Sequence, residues 1–406
     1  MTDLDTSTAP VASPPDATGA AGPLATAGVV GVAMIVLLGL AQLHGRPATF
    51  GIALLAALLG LATFAGRLTL PATPLFRHVL VAAVAGALAL VFADHVGSFT
   101  DFEIAQVAYF LPAVAGLNLL TGHNGQLSLG HGALMAVGAY AAAVLMVHQP
   151  HVPIIVLLVL AVVASTVAGA VVGLAAARLR GPYLAGATLT LAVAVPEIAT
   201  RYSKTLGGEQ GLPLRPLGSP GWLSTTFSAE RWLAWVGIVC GLVVLVLLAN
   251  LMRSGTGRRF RTVRDDETAA SLTGTNVART QVLAFVVSAA CAGLAGALYG
   301  LTNSLANPAA FSLTLSFALV TAIVVGGLGT LAGSVWGAVV LVYIPHLTNN
   351  LSTRYKFGPS VKGNLPLAIY GSVLVVAMLV FPEGIQGGLR RLGEAIPGLR
   401  PRRAGG

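Results

Sequence analysis

Hydrophobic and polar positions fall in long blocks along this chain. Twelve apolar runs, at 24–43, 48–65, 78–93, 104–120, 127–147, 153–177, 184–200, 232–251, 281–301, 313–327, 331–350 and 365–381, are separated by short polar stretches. Most approach the ~20 residues that a helix needs to cross a hydrocarbon core of ~30 Å. The runs at 78–93 and 313–327 are short enough to be tilted partners, re-entrant pieces or half-helices. The pattern predicts an all-α, polytopic integral membrane bundle with about 10–12 transmembrane segments.

Composition strengthens that reading. Of 406 residues, 55% are hydrophobic and 9% charged, and the mean hydropathy is +0.83. A soluble domain carries roughly a quarter charged residues, so a soluble globular enzyme is excluded. The two cysteines, Cys240 and Cys291, sit inside apolar runs and read as core packing rather than redox chemistry.

The net charge of +9 raises the question of nucleic acid, but the basic residues lie in the gaps between runs. With the N-terminus cytoplasmic and all twelve runs crossing, the inner gaps hold fifteen of the 23 Lys and Arg residues. That bias sets the expected orientation, with both termini cytoplasmic, and accounts for the charge without nucleic acid. Residues 1–23 are acidic, small and Pro-rich with no Lys or Arg, which reads as a disordered cytoplasmic tail rather than a cleaved signal peptide. The basic tail at 391–406 is expected to be cytoplasmic, in contact with anionic lipid.

Four regions break the alternation. Gly116 to Gly132 packs Asn118, Asn124, Gln126, Ser128 and His131 among five glycines between two spans. Backbone that leaves helical geometry at membrane depth must be buried in protein or line a watery cavity, so the segment reads either as part of a substrate path or as a Gly-rich packing turn. The second region, Pro182 to Thr190 and then Pro196-Glu197, carries Thr188 and Thr190. Glu197 is either a functional carboxylate facing the interior or water, or a side chain that snorkels outward or pairs with Arg201. The third, 201–231, is a long external loop with Gly207-Gly208-Glu209-Gln210-Gly211, suited to shaping an entrance or docking a partner. The fourth, Gly257 to Asn276, predicts a short amphipathic helix on the inner membrane face, with Ala269, Ala270 and Leu272 as an apolar patch and Gly274 as its end. Its arginines can pair with acidic groups on a partner.

These residues carry a resemblance. Glu267-x-Ala269-Ala270-x-x-x-Gly274 resembles the EAA motif of ABC importer permeases, the loop that docks into the ATP-binding subunit. The wider stretch from Gly257 to Thr280, continued by Leu283 to Tyr299, is similar to the LivH/LivM permeases of branched-chain amino acid ABC importers, most like the LivM type. Gly125-Gln126-Leu127-Ser128-Leu129-Gly130-His131-Gly132, Arg180-Gly181-Pro182-Tyr183-Leu184-Ala185, Gly207 to Leu212, Val324 to Gly333 and Phe381-Pro382-Glu383-Gly384 resemble further signatures of that family in the same order. The resemblance implies a permease core at 101–390, preceded by divergent spans at 24–100. It includes the external loop 201–231 and a coupling loop 252–280. It further implies ATPase-coupling roles for Arg258, Arg261, Arg264, Glu267, Ala269, Ala270 and Gly274. Asn118, Asn124, Gln126, Ser128, His131, Thr188, Thr190 and Glu197 are then the candidates for the translocation path or substrate. The implied partners are a LivH-like second permease, two ABC ATPase subunits and an extracellular or periplasmic substrate-binding protein, in a bacterial cytoplasmic membrane. Urea and short-amide permeases belong to the same superfamily, and their early segment more often has Gln where His131 stands here, which favours amino acids. Glu209-Gln210 departs from the residues common in the external Gly-Gly loop and leaves the substrate open.

No phosphate-binding Gly-rich loop precedes any of the three lysines, Lys204, Lys356 and Lys362. No cofactor is therefore expected on this chain, and ATP and Mg would belong to a partner ATPase. His148 and His151 lack further ligands for a metal, and Gly125-x-x-Ser128-x-Gly130 misses the spacing of a nucleophile elbow, so no enzyme activity is expected. An ion-coupled secondary transporter needs intramembrane ionisable groups, for which only Glu197 qualifies.

Overall fold

The computed structural model describes residues 98–179, 182–218 and 228–354, with isolated positions between 365 and 388. The runs predicted at 24–43, 48–65 and 78–93, most of 365–381 and both tails lie outside the described residues. Helix α1 (Ser98–Asn118) passes through Pro112 and widens into a π-turn at Leu119–His123. It is followed by α2 (His131–His148), α3 (Ile154–Ala176), α4 (Pro182–Arg201) and α5 (Ala229–Arg253). Two short helices come next, α6 (Gly255–Asp265) and α7 (Glu267–Leu272). Helices α8 (Val277–Asn303), α9 (Leu313–Gly326) and α10 (Leu331–Arg354) complete the described bundle. Among the described residues, six helices are long and apolar enough to cross a membrane, and Leu313–Gly326 and Leu331–His346 are shorter apolar pieces. The fold is an all-α polytopic membrane bundle.

Helix α8 is its centre, and small residues let three neighbours close on it. A Cβ at Gly138 of α2 would run into the Gly293 backbone, and one at Gly296 into the Met135 backbone. From α3, Gly169 meets Ala289 and Gly173 meets Phe285. From α1, Gly116 lies where a Cβ would be 2.7 Å from Cys291 Cβ. Such contacts replace the hydrophobic drive that is absent between helices in lipid. Ser165 Oγ donates to Leu134 O (2.9 Å), so even the polar atoms between α2 and α3 are satisfied locally. The outer face of α3 is different: Ile155 and Val171 are 70% and 65% exposed, a surface suited to acyl chains.

The connections sort onto two ends of the bundle. At one end, the π-turn, the 254–276 hairpin and the Gly327–Thr330 loop touch one another: Arg264 Nη1 donates to Gly122 O (2.8 Å), and Gly329 N donates to Asn118 Oδ1 (2.8 Å). At the other, β1 (Leu212–Pro213) pairs antiparallel with β2 (Leu305–Ala306), and Arg215 reaches Pro150 O at 3.5 Å. The strand pair is an addition to the expected all-helical chain. This sorting is the alternation of sides that the run order predicts.

Two expectations need correction. The run at 127–147 does not start a helix at 127. Gly125 adopts φ +76°, the chain stays non-helical to Gly130, and α2 begins at His131. The region predicted as one amphipathic helix is two. Asp266 (φ −160°, ψ 114°) breaks it and caps α7, its Oδ1 accepting from Thr268 N (2.7 Å) and Ala269 N (3.1 Å). Gly274 (φ +80°) ends the second helix as expected.

Candidate functional site

The broken stretch between α1 and α2 is held from three directions. Asn118 stands where the α-helix gives way to the π-turn. Its Nδ2 donates to Thr330 O (2.7 Å), Ser334 Oγ (3.0 Å) and, at 3.4 Å, Gly327 O, while its Oδ1 accepts from Gly329 N. One amide side chain thus satisfies the loop that interrupts α9 and α10. Thr188 of α4 accepts from Leu129 N (3.0 Å), and Ser316 of α9 accepts from Gly132 N (3.3 Å). Gly122 has no room for a side chain, because a Cβ would strike the Gly329 backbone and Asn118 Oδ1.

Inside this frame the polar side chains are buried and largely unspent. Among the described residues, His123 Nε2, both amide atoms of Asn124 and of Gln126, and both ring nitrogens of His131 lack a hydrogen-bond partner of good geometry. All four residues are at most 9% exposed, although the His131 ring neighbours the Ala113 carbonyl. Buried polar atoms in native proteins are nearly always paired with protein or water, so these atoms have bonding capacity left for water or a polar solute. Ser128 is also buried, and its Oγ lies 3.4 Å from Gly130 N, so it braces the turn.

Of the path candidates, Asn118, Asn124, Gln126, Ser128, His131 and Thr188 converge here. Thr190 and Glu197 do not. They are exposed on the face of α4 opposite Thr188, since seven residues bring a helix nearly back to the same direction and nine turn it half round.

The coupling candidates divide in the same way. Ala270 is wholly buried and Glu267 Oε1 accepts from Gln281 Nε2 (2.8 Å), so these two hold α7 against α8 instead of facing a partner. Arg264 turns its guanidinium to Gly122 O and to Asp265, and Arg261 reaches back to Met252 O (3.4 Å). Arg258, Ala269 and Gly274 face outward. The apolar patch expected of Ala269, Ala270 and Leu272 is split: Ala270 points in, and Leu272 stands 84% exposed at the tip of α7. Among the described residues, no large apolar side chain is more exposed than Leu272.

Sequence reasoning missed a second buried polar group. Glu103, 8% exposed near the start of α1, accepts from Tyr343 Oη (3.4 Å) and lies 3.8 Å from His346 Nδ1, while His346 Nε2 meets Gln106 Oε1 at 3.2 Å. Glu103 lies just before the apolar run that starts at 104, and its i, i+3 spacing to Gln106, matched by Tyr343 and His346, was its only signal.

A bundle of apolar helices with a broken polar span at its core and a small helical hairpin presented at one end defines a membrane transport permease. The chain belongs to the family of branched-chain amino acid transport system permease components, whose signature matches residues 99–381. It is 29% identical over 293 residues to the high-affinity branched-chain amino acid transport permease LivM of Salmonella typhimurium and 28% identical to that of Escherichia coli K12, with 66% of each chain covered. The chain thus spans about two thirds of the length of those relatives. LivH of Salmonella typhimurium is 31% identical over 205 residues, covering 49% of this chain and 63% of its own. No solved structure matches.

Proposed function

We propose that this chain is one permease subunit of an ATP-driven importer that moves branched-chain or other hydrophobic amino acids across the bacterial cytoplasmic membrane. The relatives are named for branched-chain amino acid transport, and the likeness extends to both LivM and LivH. A LivH-like permease is accordingly the second half of the pathway. The arginine-rich end is cytoplasmic, as the distribution of basic residues favours. Two ATPase subunits dock there and use ATP and Mg, while this chain performs no covalent chemistry. A substrate-binding protein delivers cargo at the opposite end, over 202–218 and the β1–β2 pair.

The observation that carries this reading is the seating of α7. Glu267 and Ala270 fix it to α8, Arg264 ties the preceding helix to the π-turn, and Leu272 projects outward. A push on Leu272 is thereby delivered to the broken span. Moving a two-state equilibrium requires contacts that differ between its states, and ATPase closure supplies them.

Glu267→Lys is expected to release α7 and abolish co-purification of the ATPase while membrane insertion survives; undiminished co-purification would sink the docking role. In proteoliposomes of the full complex, leucine uptake should require ATP. Urea flux through this chain alone, down a gradient, would instead make it an amide channel.

A further inference from the structure

Between the end of α3 and the first turns of α8 lies an open groove of about 850 Å³, lined by Leu174, Ala175, Ala177, Arg178, Ala278, Arg279, Val282, Leu283 and Val286. Its two ends differ in character. Arg178 follows the last turn of α3 and Arg279 sits in the first turn of α8, both exposed and both at the end of the bundle that carries the α6–α7 hairpin. Below them the wall is wholly aliphatic: Leu174 is 62% and Leu283 41% exposed. From Arg279 to Val286 the helix descends roughly 10 Å, at ~1.5 Å per residue.

We propose that this groove binds one anionic glycerophospholipid, with its phosphate on Arg178 and Arg279 and an acyl chain along Leu174, Val282, Leu283 and Val286. Charge complementarity argues for this occupant. Among the described residues neither guanidinium meets a carboxylate within ion-pair distance, and both arginines line the same groove as planar donor groups. Basic pockets between membrane helices at the cytoplasmic boundary recognise anionic lipid headgroups by this combination. A free phosphate would use the arginines but leave the aliphatic wall open, and a zwitterionic lipid would use the wall but bring its own cation to the arginines. The groove borders the first turns of α8, which also hold Gln281, the partner of Glu267. A bound lipid would brace the base on which α7 sits.

The test is native mass spectrometry of the purified full chain, titrated with phosphatidylglycerol or phosphatidylcholine. The wild-type chain is expected to retain one phosphatidylglycerol at concentrations where phosphatidylcholine is lost, and Arg178→Gln with Arg279→Gln should weaken that adduct about tenfold or more. Ala175→Trp, which fills the groove without altering charge, should weaken it too; monodisperse elution of each variant shows that it is folded. The proposal is overturned if the double variant keeps the adduct within about twofold of wild type, or if millimolar inorganic phosphate displaces the lipid. It is also overturned if the adduct disappears on assembly with the ATPase, since the groove would then be a protein interface. None of these outcomes depends on which solute the importer carries.

Discussion

An Arg264→Ala chain is expected to keep its ATPase bound and hydrolysing while solute uptake falls about tenfold or more. Arg264 reaches from α6 to the π-turn, through the 2.8 Å bond to Gly122 O, and its aliphatic stem lies against Gly125. A hydrogen bond from a charged donor contributes about 1.5–3 kcal/mol. If that bond differs between the inward and outward states, its loss removes about a factor of 10 to 150 from the coupling between them. The outward-facing residues of the proposed docking surface, Arg258, Ala269, Leu272 and Gly274, are untouched, so ATPase binding should persist. The decisive measurement is substrate transported per ATP hydrolysed in proteoliposomes. Uptake and hydrolysis falling in parallel would make Arg264 a docking residue only. Arg264→Lys, which can restore a single donor, should recover part of the loss.

The second large effect is expected at Asn118. Asn118→Leu removes a donor and an acceptor that together satisfy Gly329 N, Thr330 O and Ser334 Oγ; it leaves the fully buried Ser334 hydroxyl without this partner and opens the partly exposed loop at Gly329 and Thr330. With about 1 kcal/mol per lost bond and more for each buried group left unsatisfied, the chain should lose about 3–5 kcal/mol of stability. Thermal unfolding in detergent should therefore begin well below the wild-type temperature. An unchanged unfolding temperature for the leucine variant would show that the loop after α9 does not depend on this clamp.

The spans were legible because apolar blocks near twenty residues long have one physical meaning in a chain so poor in charge. The described helices agree with the predicted runs to within a few residues at most ends. The exceptions have local causes. Gly125 at positive φ delays α2, and the Asp266 cap divides a helix whose hydrophobic period gives no hint of a break. Ala270 and Leu272 were read as one patch, yet two residues along a helix point about 200° apart, so only one of them can face a partner. Asn118 lies in a segment that breaks the apolar pattern and Val324 to Gly333 carries a family signature, but the bonds between them span more than 200 residues and no local pattern encodes such a pairing. Glu103 was hidden for the same reason: its partners Tyr343 and His346 lie 240 and 243 residues away. Glu197, the carboxylate that drew most attention in the sequence, proves to be exposed and remote from the buried polar segment.

The Asn118 clamp also sets a schedule for biogenesis. Its acceptors and donor lie 209 to 216 residues later in the chain. At roughly 5–20 residues per second of synthesis, α1 is made about 10–40 s before the loop that completes it. Throughout that interval an amide side chain must be kept from bare hydrocarbon. The first described helix of this bundle therefore cannot be released to lipid in finished form as it is made. It has to wait beside the insertion machinery, or in the company of water, until α9 and α10 arrive.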